Sequence, residues 1–309
     1  MKIIFTGSGE FGVPTLRTLL ASAHKVVQVV SQPDRPAGRG RGLTPTAISQ
    51  VAIEANLPLL RTENINGETL TPADVMVVIA FGQKVADSII HHPRRGSINL
   101  HASLLPKYRG AAPINWAIIH GEPTAGNSII RLAQKMDAGA VLGQSELPIG
   151  ETETAGELHD RLAEDGVRLV LKVLDELVNG TATETPQDPA NVTVAPKLSR
   201  AAAKLDFTQT AIDVARRIRG LHPWPGCRVK MCDAAGGELA KFRLVRARPG
   251  PTEGDRWEPG EIMGDGMVQT GVGGLEIIDL QPDGRNVMSL QDYRRGHRWP
   301  PGARLVAVE

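Results

Sequence analysis

KIIFTGSGEFGVPTLRTLL (residues 2–20) reads as a short apolar strand, a glycine-rich turn and a helical run. Gly7, Gly9 and Gly12 have the G-x-G-x-x-G spacing with which a first strand turns into a helix whose amide end holds a pyrophosphate. That fingerprint also wants an acidic residue about twenty positions on for the ribose hydroxyls. Asp34 stands 22 positions after Gly12, inside QPDRPAGRGRG (32–42), where it opens a Pro/Gly/Arg loop instead of closing a strand. Small residues also let any first strand turn tightly into a helix. On this stretch alone, dinucleotide binding and plain turn geometry stand level.

Outward from it the same pattern repeats. Apolar runs recur at 26–31 (VVQVVS), 58–60 (PLL), 75–81 (VMVVIAF), 97–101 (SINLH) and 127–132 (NSIIRL), near-continuous as strands covered on both faces require. Helical candidates lie between them at 13–23, 45–55 and 112–121. Strand and helix in alternation predict an α/β fold with a Rossmann-like, doubly wound, mostly parallel sheet. A capping-box pattern at Thr154 to Glu157 opens one long helix over 151–180. The expected first domain is therefore 1–180, with a Thr- and Pro-rich linker over 181–204. A smaller second domain over 205–309 opens with a helix at 210–221, and its short strands with Gly turns suggest an open β-barrel.

A chain of 309 residues is long enough for two cores, and 41% apolar with 22% charged residues is ordinary for a globular protein. The first apolar stretch is too short for a signal core or a membrane span, so a cytoplasmic protein that engages no membrane is expected. Cys227 and Cys232 lie five positions apart with His222 in a Pro-rich turn. That pattern suggests neither a disulfide framework nor a zinc site. Formal charge is near −1 over residues 1–180 and +4 over 197–309, so the C-terminal part is the more basic. An imbalance this small gives little support to a nucleic-acid partner.

SINLHASLLPKYRGAAPI (97–114) carries the chemistry. Asn99 and His101 are two residues apart, so an extended strand projects both side chains to one face. A strand ending near Leu100 sets them at the carboxyl edge of the sheet, where open α/β folds bind ligands. The loop Ser103, Leu104, Leu105, Pro106 is suited to meeting a flat heterocycle. A lone buried Asn or His is more often a satisfied core group; the specificity is in the whole motif.

Asn-x-His followed by SLLP, with Asp137 and Gly139 some 36 residues after the His, resembles the folate-dependent formyltransferases. RGAAPI (109–114), QPDRPAGRGRGLTPT (32–46), VIAFGQ (78–83), APKLS (195–199) and PWPG (223–226) resemble the branch whose acceptor is charged initiator methionyl-tRNA, in order from residue 1 to about 305. The resemblance implies Asn99, His101 and Asp137 as catalytic residues and Ser103 to Pro106 as the folate-binding loop. It implies 10-formyltetrahydrofolate as formyl donor, with no metal and no NAD, so that the glycine fingerprint is turn geometry. It also implies an oligonucleotide-binding (OB-like) barrel that binds tRNA, and a monomer. A neutral amine attacking the formyl carbon generates a negative oxygen and a positive nitrogen. A carboxamide N–H suits the oxyanion, and imidazole, which titrates near ~6.5, moves the proton at neutral pH. Asp137 would orient that imidazole and favour its cation. Many members carry Asp-Thr-Gly-Asp where this chain has Asp137, Ala138, Gly139 and Ala140, so a second acidic group is absent.

Arg35, Arg39 and Arg41 interleave with Gly, Ala and Pro. Such composition predicts a solvated loop without any ligand; the resemblance implies tRNA-binding guanidinium groups that become fixed on phosphates and bases. Arg216, Arg217, Arg219, Lys230 and Arg246 are further cations suited to phosphate in the second domain. Trp224, Trp257 and Trp299 are expected to pack in cores or turns more often than to stack on bases. The competing readings are an amino sugar or glycinamide ribonucleotide as acceptor, an NAD-dependent oxidoreductase, and a tRNA-binding protein without catalysis.

Overall fold

The structure, a computed structural model, describes residues 1–37, 42–251 and 257–308. Its chain forms two compact units, one from Met1–Gly110, Ala125–Leu147 and His159–Ala195, the other from Ala111–Thr124, Pro148–Leu158 and Pro196–Glu309. Among the described residues no helix is long and apolar enough to cross a membrane.

The first unit alternates strands and helices as its apolar runs require: β1 (Lys2–Gly7), α1 (Val13–Leu20), β2 (Lys25–Ser31), β3 (Arg35–Ala37), β4 (Gly42–Thr44), α2 (Ala47–Glu54), β5 (Leu59–Arg61), β6 (Val75–Ile79), α3 (Asp87–Ile90), β7 (Ser97–His101) and β8 (Arg109–Gly110). Helix α4 (Pro113–His120) belongs to the second unit; β9 (Thr124–Arg131), β10 (Val141–Pro148), α5 (Ala155–Asn179) and β11 (Val194–Ala195) follow. The sheet runs β10-β9-β7-β6-β1-β2-β5. From β7 to β5 all neighbours are parallel, and β9 is antiparallel to β7. Every residue of β6 is buried, as a central strand covered on both faces must be. Strand order reverses at β1, with β2 on one side and β6 on the other. The carboxyl ends of β1, β6 and β7 therefore border the crevice where such sheets bind ligands.

The second unit is a near-closed antiparallel barrel with helices. Beyond α6 (Ala211–Gly220) come β12 (Cys227–Cys232), β13 (Glu238–Gly250), β14 (Val268–Gln269), β15 (Gly274–Pro282), β16 (Met288–Ser289), α7 (Leu290–Gly296) and β17 (Arg304–Ala307). They order as β14-β15-β13-β12-β17, and the bridges Glu261↔Arg304 and Ile262↔Val268 carry the ring from β17 back to β14. Alternation in β12 sends Cys227, Val229 and Met231 inward to Phe242, Leu244, Ile218 and Trp299. Trp299 is core, its indole N–H donating to the Gly266 carbonyl at 2.9 Å, whereas Trp224 is exposed. Helix α4 packs on α6; Asn115 Nδ2 donates to the Gly220 carbonyl at 2.7 Å, and Trp116 and Ile119 cover the barrel core.

The capping box at the start of α5 forms as its spacing predicts: the Thr154 amide donates to Glu157 Oε2 at 2.8 Å, and the Glu157 amide reaches back to Thr154 Oγ1 at 3.4 Å. Three of the cations expected to be suited to phosphate are spent inside this unit. Arg246 donates from Nε to Asp279 (2.8 Å), from Nη1 to the Thr152 carbonyl (2.7 Å) and from Nη2 to Glu157 (2.6 Å). Arg219 is buried with Nη1 on the Glu153 carbonyl, and Arg217 donates to the Ala202 carbonyl.

Partial burial pushes the Glu157 carboxyl up, but hydrogen bonds from Arg246 and from the Thr154 amide and hydroxyl outweigh it and hold the pKa at about 2, below the ordinary 4.5. A carboxylate depressed in the folded state stabilises it fully above its unfolded pKa, and that contribution is lost as pH falls toward the folded one. Urea midpoints should therefore fall between about pH 4.5 and about pH 2, and Glu157→Gln should flatten that part of the profile. A profile identical in the variant would show that Arg246 does not hold the carboxylate.

Candidate active site

The glycine turn is shaped by strand packing. A Cβ on Gly7 would lie 2.6 Å from the Ile79 carbonyl oxygen, so β1 and β6 approach closely only with glycine there. The Ser8 and Gly9 amides, which a dinucleotide site would aim at a pyrophosphate, donate to the Ala80 carbonyl at 3.3 and 3.4 Å. A tight 3-10 turn over Glu10–Gly12 precedes α1, and Asp34 pairs with Arg61 at 3.0 Å.

Strand β7 sets Asn99 and His101 at the sheet's carboxyl edge, two residues apart on an extended backbone. His101 is buried, and its Nε2 lies 2.9 Å from the Tyr108 carbonyl oxygen. A carbonyl only accepts, so Nε2 carries a proton and Nδ1 is the atom left for proton exchange. That Nδ1 is 3.7 Å from Asp137 Oδ2. The same carboxylate oxygen accepts the Gly110 amide at 2.9 Å, which turns it toward the imidazole. Asn99 is half-buried, and its carboxamide makes no hydrogen bond among the described residues. The structure thus brings His101 and Asp137 together, and Asn99 stands two residues before His101 on the same strand with an amide donor uncommitted among the described residues.

Asp137 sits in a sharp turn, at a left-handed φ of +51°. Two positions on, a Cβ on Gly139 would lie 1.8 Å from the Arg131 carbonyl oxygen, so only glycine lets the turn fold against the end of β9.

The loop from Ser103 to Pro106 is braced from beneath. The Ser103 hydroxyl donates to the Lys107 carbonyl (2.7 Å), and its own carbonyl accepts Ser128 Oγ (2.6 Å). The Leu105 amide donates to Ser128 Oγ (3.0 Å), and its carbonyl accepts Gln144 Nε2 (2.9 Å). Leu104 is half-buried over Gly126, and Pro106 follows a cis peptide bond. The expected tRNA loop is described only in part. Arg35 is exposed, and its guanidinium donates to Gln32 Oε1; Gln32 Nε2 donates in turn to the Phe81 carbonyl at 2.6 Å, just past β6. Arg39 and Arg41 lie outside the described residues.

Sequence reasoning did not find the Tyr108 carbonyl, the Gly110 amide, Ser128, Gln144 or Gln187. Two of these act through main-chain atoms, which leave no residue signature. Gln187 sits in a Thr- and Pro-rich stretch without periodicity.

The profile described as "Formyl transferase" matches residues 1–174, and that described as "Formyl transferase, C-terminal domain" matches residues 197–298. Among curated relatives, a methionyl-tRNA formyltransferase of Acidobacterium capsulatum is 40% identical over 319 residues, covering 99% of this chain and 100% of its own. That of Gluconobacter oxydans is 38% identical over 314 residues, with 99% and 100% covered. Among solved structures, an N-formyltransferase from Helicobacter canadensis in complex with folinic acid and dTDP-3-aminofucose aligns with a TM-score of 0.65 at 17% identity, over 90% of this chain and 98% of its own. HypX from Aquifex aeolicus in complex with tetrahydrofolic acid aligns at 0.62 and 18%, over 95% and 46%. At such identity these two likenesses bear on the fold alone.

Proposed function

We propose how this site works from one premise: the chain belongs to the formyl transferase family, and within it to the methionyl-tRNA formyltransferases. It transfers the formyl group of 10-formyltetrahydrofolate to the α-amino group of charged initiator methionyl-tRNA, giving formylmethionyl-tRNA for translation initiation.

In the proposed mechanism the neutral amine attacks the formyl carbon, and the carbonyl electron pair moves to oxygen. Asn99 donates its carboxamide N–H to that oxyanion, a contact strongest in the transition state. His101 Nδ1 takes the proton that the attacking nitrogen sheds, and Asp137, 3.7 Å away, stabilises the imidazolium. As the oxyanion collapses, the bond from carbon to the folate nitrogen breaks and His101 returns the proton to that nitrogen. One C–N bond forms, one breaks, and the imidazole ends as it began. The observation that carries this reading is the tautomer fixed by the Tyr108 carbonyl, which commits Nε2 and leaves Nδ1 facing the carboxylate. Ser103 to Pro106 would line the folate side, and Arg35, Arg39 and Arg41 the acceptor end of the tRNA.

The test is transfer of labelled formyl from 10-formyltetrahydrofolate to purified charged initiator tRNA, with an amino sugar as the competing acceptor. Label on the tRNA alone is expected; label on the sugar alone would overturn the assigned acceptor. This reading has one chain act as a monomer in the cytoplasm, with all three catalytic groups supplied by one unit of one chain.

The barrel would hold the tRNA backbone on the outward face of β12 and β13. There Arg228 stands directly opposite Arg243, and Lys230 opposite Lys241, whose ammonium also pairs with Glu238 at 3.0 Å. Like charges directly opposed on adjacent strands destabilise a sheet. A polyphosphate backbone offsets that cost. Lys230→Gln with Lys241→Gln should weaken tRNA binding uniformly and lower the salt slope by about 1 per lost phosphate contact. The same pair of changes should leave the melting temperature equal or higher. Unchanged tRNA affinity would remove this face from the interface.

A further inference from the structure

We propose that Gln187 is a positioning residue of the transfer reaction, its carboxamide clamping the Asp137 turn to Arg109 so that the carboxylate stays aimed at His101. The inference rests on the assignment of Asn99, His101 and Asp137 as the reacting groups. Gln187 Nε2 donates to the main-chain carbonyls of Asp137 and Gly139, each at 2.8 Å. Its Oε1 accepts from Arg109 Nε at 3.1 Å and from Nη2 at 2.7 Å. Both donor hydrogens and both acceptor positions of the amide are thus in use. The orientation is unambiguous, because the flipped amide would set its oxygen against two carbonyls and its N–H against a guanidinium.

The turn needs such a clamp. A non-glycine residue at φ +51° holds backbone strain of order ~1–3 kcal/mol, which persists only where the surroundings over-determine it. Gln187 fixes the carbonyls on both sides of Ala138, and Gly110 fixes the Asp137 carboxylate. The same chain segment fixes the other partner of His101. Tyr108, whose carbonyl accepts Nε2, donates its amide to Thr193 Oγ1 at 2.8 Å, and Arg109 and Gly110 pair with Val194 and Ala195. Residues 187–195 therefore hold both groups that flank the imidazole, one through Gln187 and one through β11. Gln187 touches none of the reacting atoms.

Glutamine alone among common residues of this length has two donors for the carbonyls and an acceptor for the guanidinium. In Gln187→Glu one carboxylate oxygen keeps Arg109, while the other faces two carbonyl oxygens without a hydrogen. We expect kcat of Gln187→Glu to fall about 10- to 100-fold at about pH 8, as small displacements of a catalytic group do. The loss should persist across about pH 6 to 8, because the Arg109 guanidinium keeps the introduced carboxylate ionised there, with KM for folate and tRNA within about twofold. Gln187→Met, of similar shape and with no hydrogen-bonding capacity for the carbonyls, should lose a similar factor at all pH values. Melting temperatures and circular dichroism of both variants should stay near the parent's.

A kcat ratio near one in both Gln187→Glu and Gln187→Met would overturn the proposal. So would a loss confined to KM or to the melting temperature. His101→Ala, measured in parallel, separates the two readings. If it retains activity, the assigned site is wrong; if it is inactive while both Gln187 variants are normal, only the clamp is wrong.

Discussion

His101→Ala is expected to lower kcat for formyl transfer by about 10²- to 10⁴-fold, the range for loss of a positioned general acid–base. The amine must shed a proton and the folate nitrogen must gain one within a single turnover. The imidazole that does this is held at Nε2 by the Tyr108 carbonyl and at Nδ1 by the field of Asp137. Water reaching the vacated volume would supply a poorer and less oriented base. KM for tRNA should change little, because the side chain is buried and lies where protons move, not where the acceptor stem is gripped. Initial rates with labelled formyl donor and saturating charged tRNA measure this directly. A near-normal kcat would refute the proton-transfer role. The same substitution strips the donor from a buried carbonyl, at about 1–3 kcal/mol, so its melting temperature should fall as well.

Asn99→Ala gives the contrasting signature. Its carboxamide has no hydrogen-bonding partner among the described residues and sits half-buried in the middle of β7, two residues before His101. Removing it leaves no protein group unsatisfied and takes nothing from a packed core, so the melting temperature should be unchanged. Turnover should nonetheless fall about 10²- to 10³-fold, as for removal of one oxyanion donor. Because the contact strengthens only in the transition state, kcat and kcat/KM should fall together. A KM effect with kcat intact would make Asn99 a ground-state binder of the formyl oxygen. Stability lost in one variant and kept in the other, with activity lost in both, is a pattern that misfolding cannot reproduce.

The doubly wound sheet was legible because β6 and its neighbours are buried on both faces and therefore read as unbroken apolar runs. The capping box at Thr154 was legible for an equally local reason. Asn99 and His101 could be paired because a two-residue period in a strand fixes a shared face. The glycine fingerprint misleads alone, since one spacing serves a phosphate cradle and a close approach of β1 to β6; the amides bonded to Ala80 distinguish them, and no residue code records that. Helix α4 has the pattern of a crossover helix in an α/β unit, and nothing in it says that its apolar face meets α6. Arg246 and Arg219 looked like surface cations because their acceptors, among them the Thr152 and Glu153 main-chain carbonyls, lie far away in sequence. Gln187 was invisible for the same reason: every group it binds is a backbone carbonyl or a guanidinium 48 to 78 residues distant.

The polypeptide passes from one unit to the other five times on its way from Met1 to Glu309. A single break anywhere in the gene therefore cannot release either half intact. A product ending at Ala195 would carry residues 111–124 with Trp116 and Ile119 stripped of the α6 and barrel side chains that shelter them, and would be sticky on that account. Grafting this barrel onto another catalytic half by one recombination event would fail likewise, because the unit that contains the barrel is encoded in three separate places. Trading parts between members of such a lineage demands matched exchange at several junctions at once.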